Sequence, residues 1–333
     1  MQTIVAVRMK TFLGRIAAVL LALAMVCCGH GGPPMVDGGP TLSAEEMRVA
    51  ASQHIDSSRV EVWTGDSVEV AYTPHADTID VRELLCGLTA EAWILVDDSS
   101  GVLISAKNAH QRRAPASLTK MMTCLLALQR GTMGDTIEIT DDVFLAKNSQ
   151  VRRGDRYLLG NLIHEMMLLS DNDAANAVAK HVGGSIEAFC QLMNAKADSL
   201  GMSDTRFANP NGMPNDSAWS TARDLLVLAR YCMRDSAFAK IVGTANMDIP
   251  LVDGRHLPCP NTNQLLENYE GCTGVKTGYT QRAGYCLASS ATRHGRSLFL
   301  ILLGSQSLPS RFSESATLLD YGFRVMDEVR GER

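Results

Sequence analysis

The hydrophobic period of this 333-residue chain switches twice, and those switches constrain the fold more than any other feature of the sequence. Residues 92–96 and 102–106 read as two short strands joined by a polar turn ending in Gly101, a predicted hairpin. Pro115 opens a helix predicted to run to Arg130 and to stop at Gly131. Helical periodicity then holds to about residue 242, with predicted helices at 158–169, 174–181, 186–200 and 221–233. Gly183-Gly184 and Gly201 stand where C-caps belong. Strand character returns at 274–279, 284–291 and 297–303, before a last helix near 310–323. Strands at both ends with helices between them predict an α+β fold: one sheet built from both parts, and a helical subdomain at about 125–250 inserted between. A site is expected in the cleft where the two parts meet.

The first 28 residues read as an export signal. Arg8, Lys10 and Arg15 precede an apolar run at 16–26, which is too short to span a bilayer but suits the core of a leader peptide. Met25-Val26-Cys27-Cys28 loosely resembles a lipobox, so Cys28 is the expected lipidation site. Residues 29–40 (GHGGPPMVDGGP) form a flexible tether. The protein is therefore expected outside the cytoplasm, periplasmic or extracytoplasmic, held to a membrane by its N-terminal lipid. Residues 41–88 are an extension of unassigned role, with a capping box at Ser43-Ala-Glu-Glu46 and a predicted hairpin at 60–72. Seven further cysteines, an odd count without a CxxC pair, predict no disulfide framework. Cys124, Cys190 and Cys232 lie on apolar helical stretches and are expected as buried thiols.

Several chemistries find no support in the sequence. A net charge of -5 without a long basic run argues against a nucleic-acid partner. His164-Glu165 begins like a zinc-protease helix, but Leu168 stands where the second histidine belongs. Histidines are scattered, no GxSxG elbow occurs and no glycine-rich phosphate loop follows a strand, so neither a metal nor a cofactor is expected.

Three short elements remain: Ser117-Leu-Thr-Lys120, Ser170-Asp-Asn172 and Lys276-Thr-Gly278. Each alone is weak, but their joint order and contexts have physical content. Ser117 and Lys120 are three residues apart at a helix start, so their side chains share a face. The same helix start offers free N–H groups to a developing oxyanion. Leu118, Met121, Met122, Leu125 and Leu126 make the helix apolar nearly all round. Lys120 is thus expected in a desolvated site, where burial and a second cation, Lys276, favour the neutral amine. Ser170 falls at a break between helices, and Lys276 on a strand that can dock an extended peptide.

With their surroundings, these motifs resemble the serine D-alanyl-D-alanine carboxypeptidase family of low-molecular-weight penicillin-binding proteins. The likeness extends over residues 114–123, Ser170 to Ala175, Ser220-Thr-Ala-Arg-Asp224, residues 274–280 with Ala283-Gly-Tyr285, and Arg311 with Glu314-Ser315. It covers residues 89 to 324, within a penicillin-binding domain placed at 89–333. It implies a DD-peptidase/β-lactamase-like fold with an antiparallel sheet of about five strands, flanking helices and an all-helical insert. By position it makes Ser117 the nucleophile, Lys120 its general base and Ser170 the proton relay to the leaving amine. Asn172, Lys276, Thr277, Gly278 and Tyr279 would bind substrate, with the N–H groups of Ser117 and Tyr279 as oxyanion hole. Arg223 and Arg311 match positions that assist carboxylate binding in relatives. The implied partners are the peptidoglycan stem peptide and β-lactam antibiotics, and a monomer is expected. Asp171 departs from the glycine of many relatives, and the chain ends about ten residues past the family's last helix, so attachment is expected at the N-terminus. One alternative is a class A β-lactamase, disfavoured because no glutamate occurs from 188 to 266, where its deacylating base belongs. Another is a non-catalytic penicillin-binding module, disfavoured because every motif residue is present. DD-endopeptidase action is a variant that the sequence leaves open.

Overall fold

A computed structural model describes residues 87–145 and 149–330. The leader, Cys28, the tether, the helix start at Ser43 and the hairpin at 60–72 lie outside the described residues.

The described residues open with the hairpin β1 (Ala92–Asp97) and β2 (Leu103–Lys107), then a 3-10 turn (Ala116–Thr119) running into α1 (Lys120–Arg130). Strands β3 (Thr136–Glu138) and β4 (Arg156–Leu158) precede α2 (Leu159–Leu168), α3 (Asn172–Gly183) and α4 (Ile186–Ser199). After α5 (Ala222–Met233) and α6 (Ser236–Val242) come β5 (Asn246–Pro250), β6 (His256–Pro260) and the short α7 (Leu265–Asn268). The order closes with β7 (Cys272–Thr280), β8 (Gly284–Arg293), β9 (Arg296–Ser305) and α8 (Leu308–Arg330).

The main sheet has the order β2-β1-β9-β8-β7 and is antiparallel at every pairing, so both parts of the chain build it and β7 is an edge. Its central strands are buried on both faces, which is why they read as continuous apolar runs. On β9, Phe299, Ile301 and Leu303 pack with the helical part, while Leu298, Leu300 and Leu302 face the other way. There they meet Leu318, Leu319, Tyr321 and Val325 of α8. The first core contains Met121, Met122, Leu125 and Leu126, and α1 is buried from Lys120 through Ala127 as its composition requires. Cys124, Cys190 and Cys232 are buried thiols.

Three expectations are corrected. The helix predicted from Pro115 starts as one tighter turn, and only becomes α-helical at Lys120. The last helix runs on to Arg330. The insert is not all-helical, because β3 pairs with β4 and β5 with β6. Three residues are too few to display a period of two, and β5 (Asn-Met-Asp-Ile-Pro) and β6 are mostly polar or proline-flanked, so neither ribbon carries a hydrophobic signature.

Candidate active site

The site forms where the 3-10 turn, the break between α2 and α3, and the edge strand β7 converge. Ala116 is buried in a left-handed conformation with φ 48°, which delivers Ser117 at the first helical turn. Gly212 fits against this turn because it has no side chain: a Cβ there would lie 1.9 Å from the Ala116 carbonyl oxygen, and its φ is +83°. The loop bearing Gly212 is tied down by buried bonds. Thr123 Oγ1 donates to Pro210 O at 2.6 Å, and Asn211 Nδ2 to Asn176 Oδ1 at 2.9 Å.

Lys120 is fully buried, and its Nζ lies 3.0 Å from Ser117 Oγ, 2.8 Å from Asn172 Oδ1 and 2.7 Å from Asn211 O. Burial lowers its pKa to about 7, against a smaller opposing pull from Asp171. These contacts suit a neutral amine. In that form two N–H groups would serve the two carbonyl oxygens, leaving a lone pair to face the Ser117 hydroxyl.

Asn172 owes its place to its neighbour. Asp171 Oδ1 accepts from the amides of Asp173 and Ala174 at 2.8 and 2.9 Å, capping α3. Its Oδ2 accepts from Ser149 Oγ and Gln150 N at 2.8 and 2.7 Å. The departure from glycine at 171 is thus a structural one, and it stiffens the start of the helix that begins with Asn172. Ser170 takes a left-handed φ of 63° at the break, as expected for a residue turned out of both helices. The contact made to the Lys120 amine from this motif comes from Asn172.

Strand β7 closes the other side. A Cβ on Gly278 would come within 3.1 Å of Ser117 N, so glycine lets the strand lie against the turn that carries Ser117. Lys276 is buried and donates to Thr277 O at 3.0 Å. Burial, then the charges of Lys120 and Arg311, hold its ammonium well below the usual lysine range. Thr277 Oγ1 and Thr262 Oγ1 are 2.6 Å apart. Arg311 is 4% exposed, packs over Tyr285 and Phe312, and donates to Gly278 O at 3.3 Å. Burial lowers its guanidinium to about 10, and its Nε is buried without a hydrogen-bond partner. Among the described residues no carboxylate is ion-paired with Lys276 or Arg311. A desolvated guanidinium without counter-charge, as at Arg311, raises the affinity for an anion that completes it. Tyr279 is half exposed and stacks on Tyr285 with ring centroids 4.3 Å apart.

Lys120 meets both Ser117 and Asn172, Gly278 of β7 packs against Ser117, and Arg311 bonds to Gly278. Ser170 lies at the break that carries Asn172, and Cys28 lies outside the described residues. Arg223 sits in the first turn of α5, pairs with Asp224 at 3.2 Å and bonds through its amide to Ala109 O. These contacts serve the α5 terminus and are not those that join Arg311 to β7. Two contributors escaped sequence reasoning, the Asn211 carbonyl and Thr262, and Tyr285, noted only as part of the family likeness, proves to be an aromatic support. The only signal for the first is the turn-rich Asn209-Pro-Asn-Gly212.

With this geometry in place, comparison with known proteins is decisive. The family model described as D-alanyl-D-alanine carboxypeptidase matches residues 44–307. The chain belongs to this family. The match reaches back into residues 41–88, the extension of unassigned role. Among family relatives, the chain is 32% identical to the D-alanyl-D-alanine carboxypeptidase DacF of Bacillus subtilis, over 70% of this chain and 62% of that protein. It is 33% identical to DacA of Escherichia coli, over 77% of this chain and 66% of that protein. The chain thus spans slightly less than two thirds of these two relatives. The crystal structure of a Streptomyces DD-transpeptidase superposes with a TM-score of 0.67 at 30% identity, covering 71% of this chain and 97% of that one.

Proposed function

We propose that this chain is a serine DD-carboxypeptidase that removes the terminal D-alanine from peptidoglycan pentapeptide stems and is acylated by penicillin. The observation that carries the reading is the fully buried Lys120 amine, 3.0 Å from Ser117 Oγ and held by two carbonyl oxygens. A substrate peptide adds to the edge of β7, with its terminal carboxylate toward Thr277, Lys276 and Arg311. Lys120 takes the Ser117 proton as Oγ attacks the D-Ala-D-Ala carbonyl. The N–H groups of Ser117 and Tyr279 receive the oxyanion. Collapse breaks the C–N bond as the proton held by Lys120 passes through Ser170 to the departing D-alanine amine, and water then hydrolyses the ester and restores the Ser117 hydroxyl. Asn172, already an acceptor for Lys120 through Oδ1, offers its Nδ2 to the substrate backbone. Arg223 is left out of this scheme.

The same reading puts the enzyme outside the cytoplasm, tethered by lipid at Cys28. No described helix is long and apolar enough to cross a membrane. The test is incubation with a pentapeptide stem, mass spectrometry of released D-alanine, and labelling by a fluorescent penicillin. Labelling together with D-alanine release supports the assignment, and the absence of both overturns it.

A further inference from the structure

Beside the catalytic turn lies an open cleft of about 390 Å³ whose walls include Arg112, Arg113, Arg282, Asp216 and Trp219. Ala114 and Ala218 belong both to this cleft and to a narrow hollow walled by Ala116, Met213 and Thr280. Ala116 immediately precedes Ser117, and Met213 Sδ lies 3.6 Å from Asn172 Nδ2. Thr280 ends β7. The cleft and the hollow thus share a wall, and the hollow reaches Ala116, next to Ser117, and Thr280 at the end of β7.

We propose that this cleft is a subsite for carboxylates of the substrate's peptide stem, upstream of the scissile bond. The inference rests on the reading of Ser117 as the nucleophile of a DD-peptidase. With the terminal carboxylate at Lys276 and Arg311 and the scissile carbonyl at Ser117, an extended peptide on the edge of β7 continues past Thr280 toward Arg282. A stem joined through the γ-carboxyl of D-glutamate presents its free α-carboxylate on that side, and guanidinium forks suit this group.

The present partners of the arginines do not oppose this. Arg282 pairs with Asp216, whose side chain is 98% exposed. Arg112 pairs with Asp204 at 2.8 Å, both well exposed, while its guanidinium lies over the Trp219 ring at 5.4 Å. Exposed pairs of this kind are weak, so a substrate carboxylate can replace the protein's own. Arg113, held by Glu91, keeps a buried Nε without a hydrogen-bond partner.

The test uses the full chain carrying Ser117→Ala, so that binding is read without turnover. Two pentapeptides are titrated, identical except that one carries D-glutamate and the other D-isoglutamine, which lacks the free carboxylate. Adding Arg282→Gln is expected to weaken the glutamate peptide about tenfold and the isoglutamine peptide less than about twofold. Adding Asp216→Asn, which frees Arg282, is expected to tighten the glutamate peptide. Equal effects on the two peptides, or no effect from either substitution, overturn the subsite. The activity reading is tested apart from it by D-alanine release from diacetyl-lysyl-D-alanyl-D-alanine, which has no upstream acid. Release with no discrimination at the cleft sinks only the subsite, and discrimination without release sinks only the activity.

Discussion

Replacing Lys120 by arginine preserves a positive side chain and is expected to destroy acylation as completely as Lys120→Ala. The argument starts from burial: the amine is fully enclosed, and desolvation brings its pKa down to about 7. Near neutral pH a large fraction is therefore unprotonated and can accept the Ser117 proton across 3.0 Å. An arginine, with a pKa above about 12, never presents a lone pair. Losing a positioned general base costs roughly 10²–10⁴-fold in rate. The assay is the second-order rate constant for acylation by a fluorescent penicillin, followed by gel or stopped flow. In the wild type this constant is expected to fall about tenfold per pH unit below about pH 7, as the amine gains its proton. Asp171 pulls this pKa upward, so Asp171→Asn is expected to move the acid limb to lower pH. The same shift has a stability counterpart. Between pH 7 and 10.5 the unfolded chain binds the Lys120 proton and the folded chain does not, so this group's destabilising contribution is relieved as pH rises through that window. Near-normal acylation by the arginine variant, or a rate constant flat from pH 5 to 8, would refute the base role.

Gly212→Ala is expected to destabilise the fold and slow acylation together, because its Cβ would collide with the Ala116 carbonyl. The left-handed backbone alone adds about 1–3 kcal/mol, read by thermal unfolding beside the acylation rate, and an unchanged variant would contradict this packing. A benzylpenicillin adduct is expected to be long-lived once free drug is removed. The reason is that no glutamate occurs from 188 to 266, where a class A β-lactamase carries its deacylating base. Turnover of many equivalents per second would point instead to a β-lactamase. Cys28→Ser is expected to release a membrane-bound protein into the soluble fraction. Soluble wild type without lipid mass at its N-terminus would show simple secretion.

What the sequence revealed and what it hid have physical causes. The long strands and helices were legible because burial on both sheet faces, or on one helix face, writes a period into the chain, as on β9 and α5. Ser117, Lys120 and Lys276 were legible because three short motifs occur together in order, and the family likeness they carry assigns their roles. The ribbons β3–β4 and β5–β6 were not, since they are short and mostly exposed. The Asn211 contribution is a main-chain carbonyl, which no side-chain pattern records. Arg223 was legible only as a motif match; in the fold it stands at the start of α5, where it pairs with Asp224.

The central claim is that one hydroxyl, that of Ser117, takes the acyl group. The most direct measurement is peptide mass mapping of the penicillin adduct in the wild type and in Ser117→Ala. The expected result is a single modified peptide containing Ser117, with neither adduct nor D-alanine release in the alanine variant although its thermal unfolding is unchanged. An adduct on any other residue, or labelling that persists in Ser117→Ala, would contradict it.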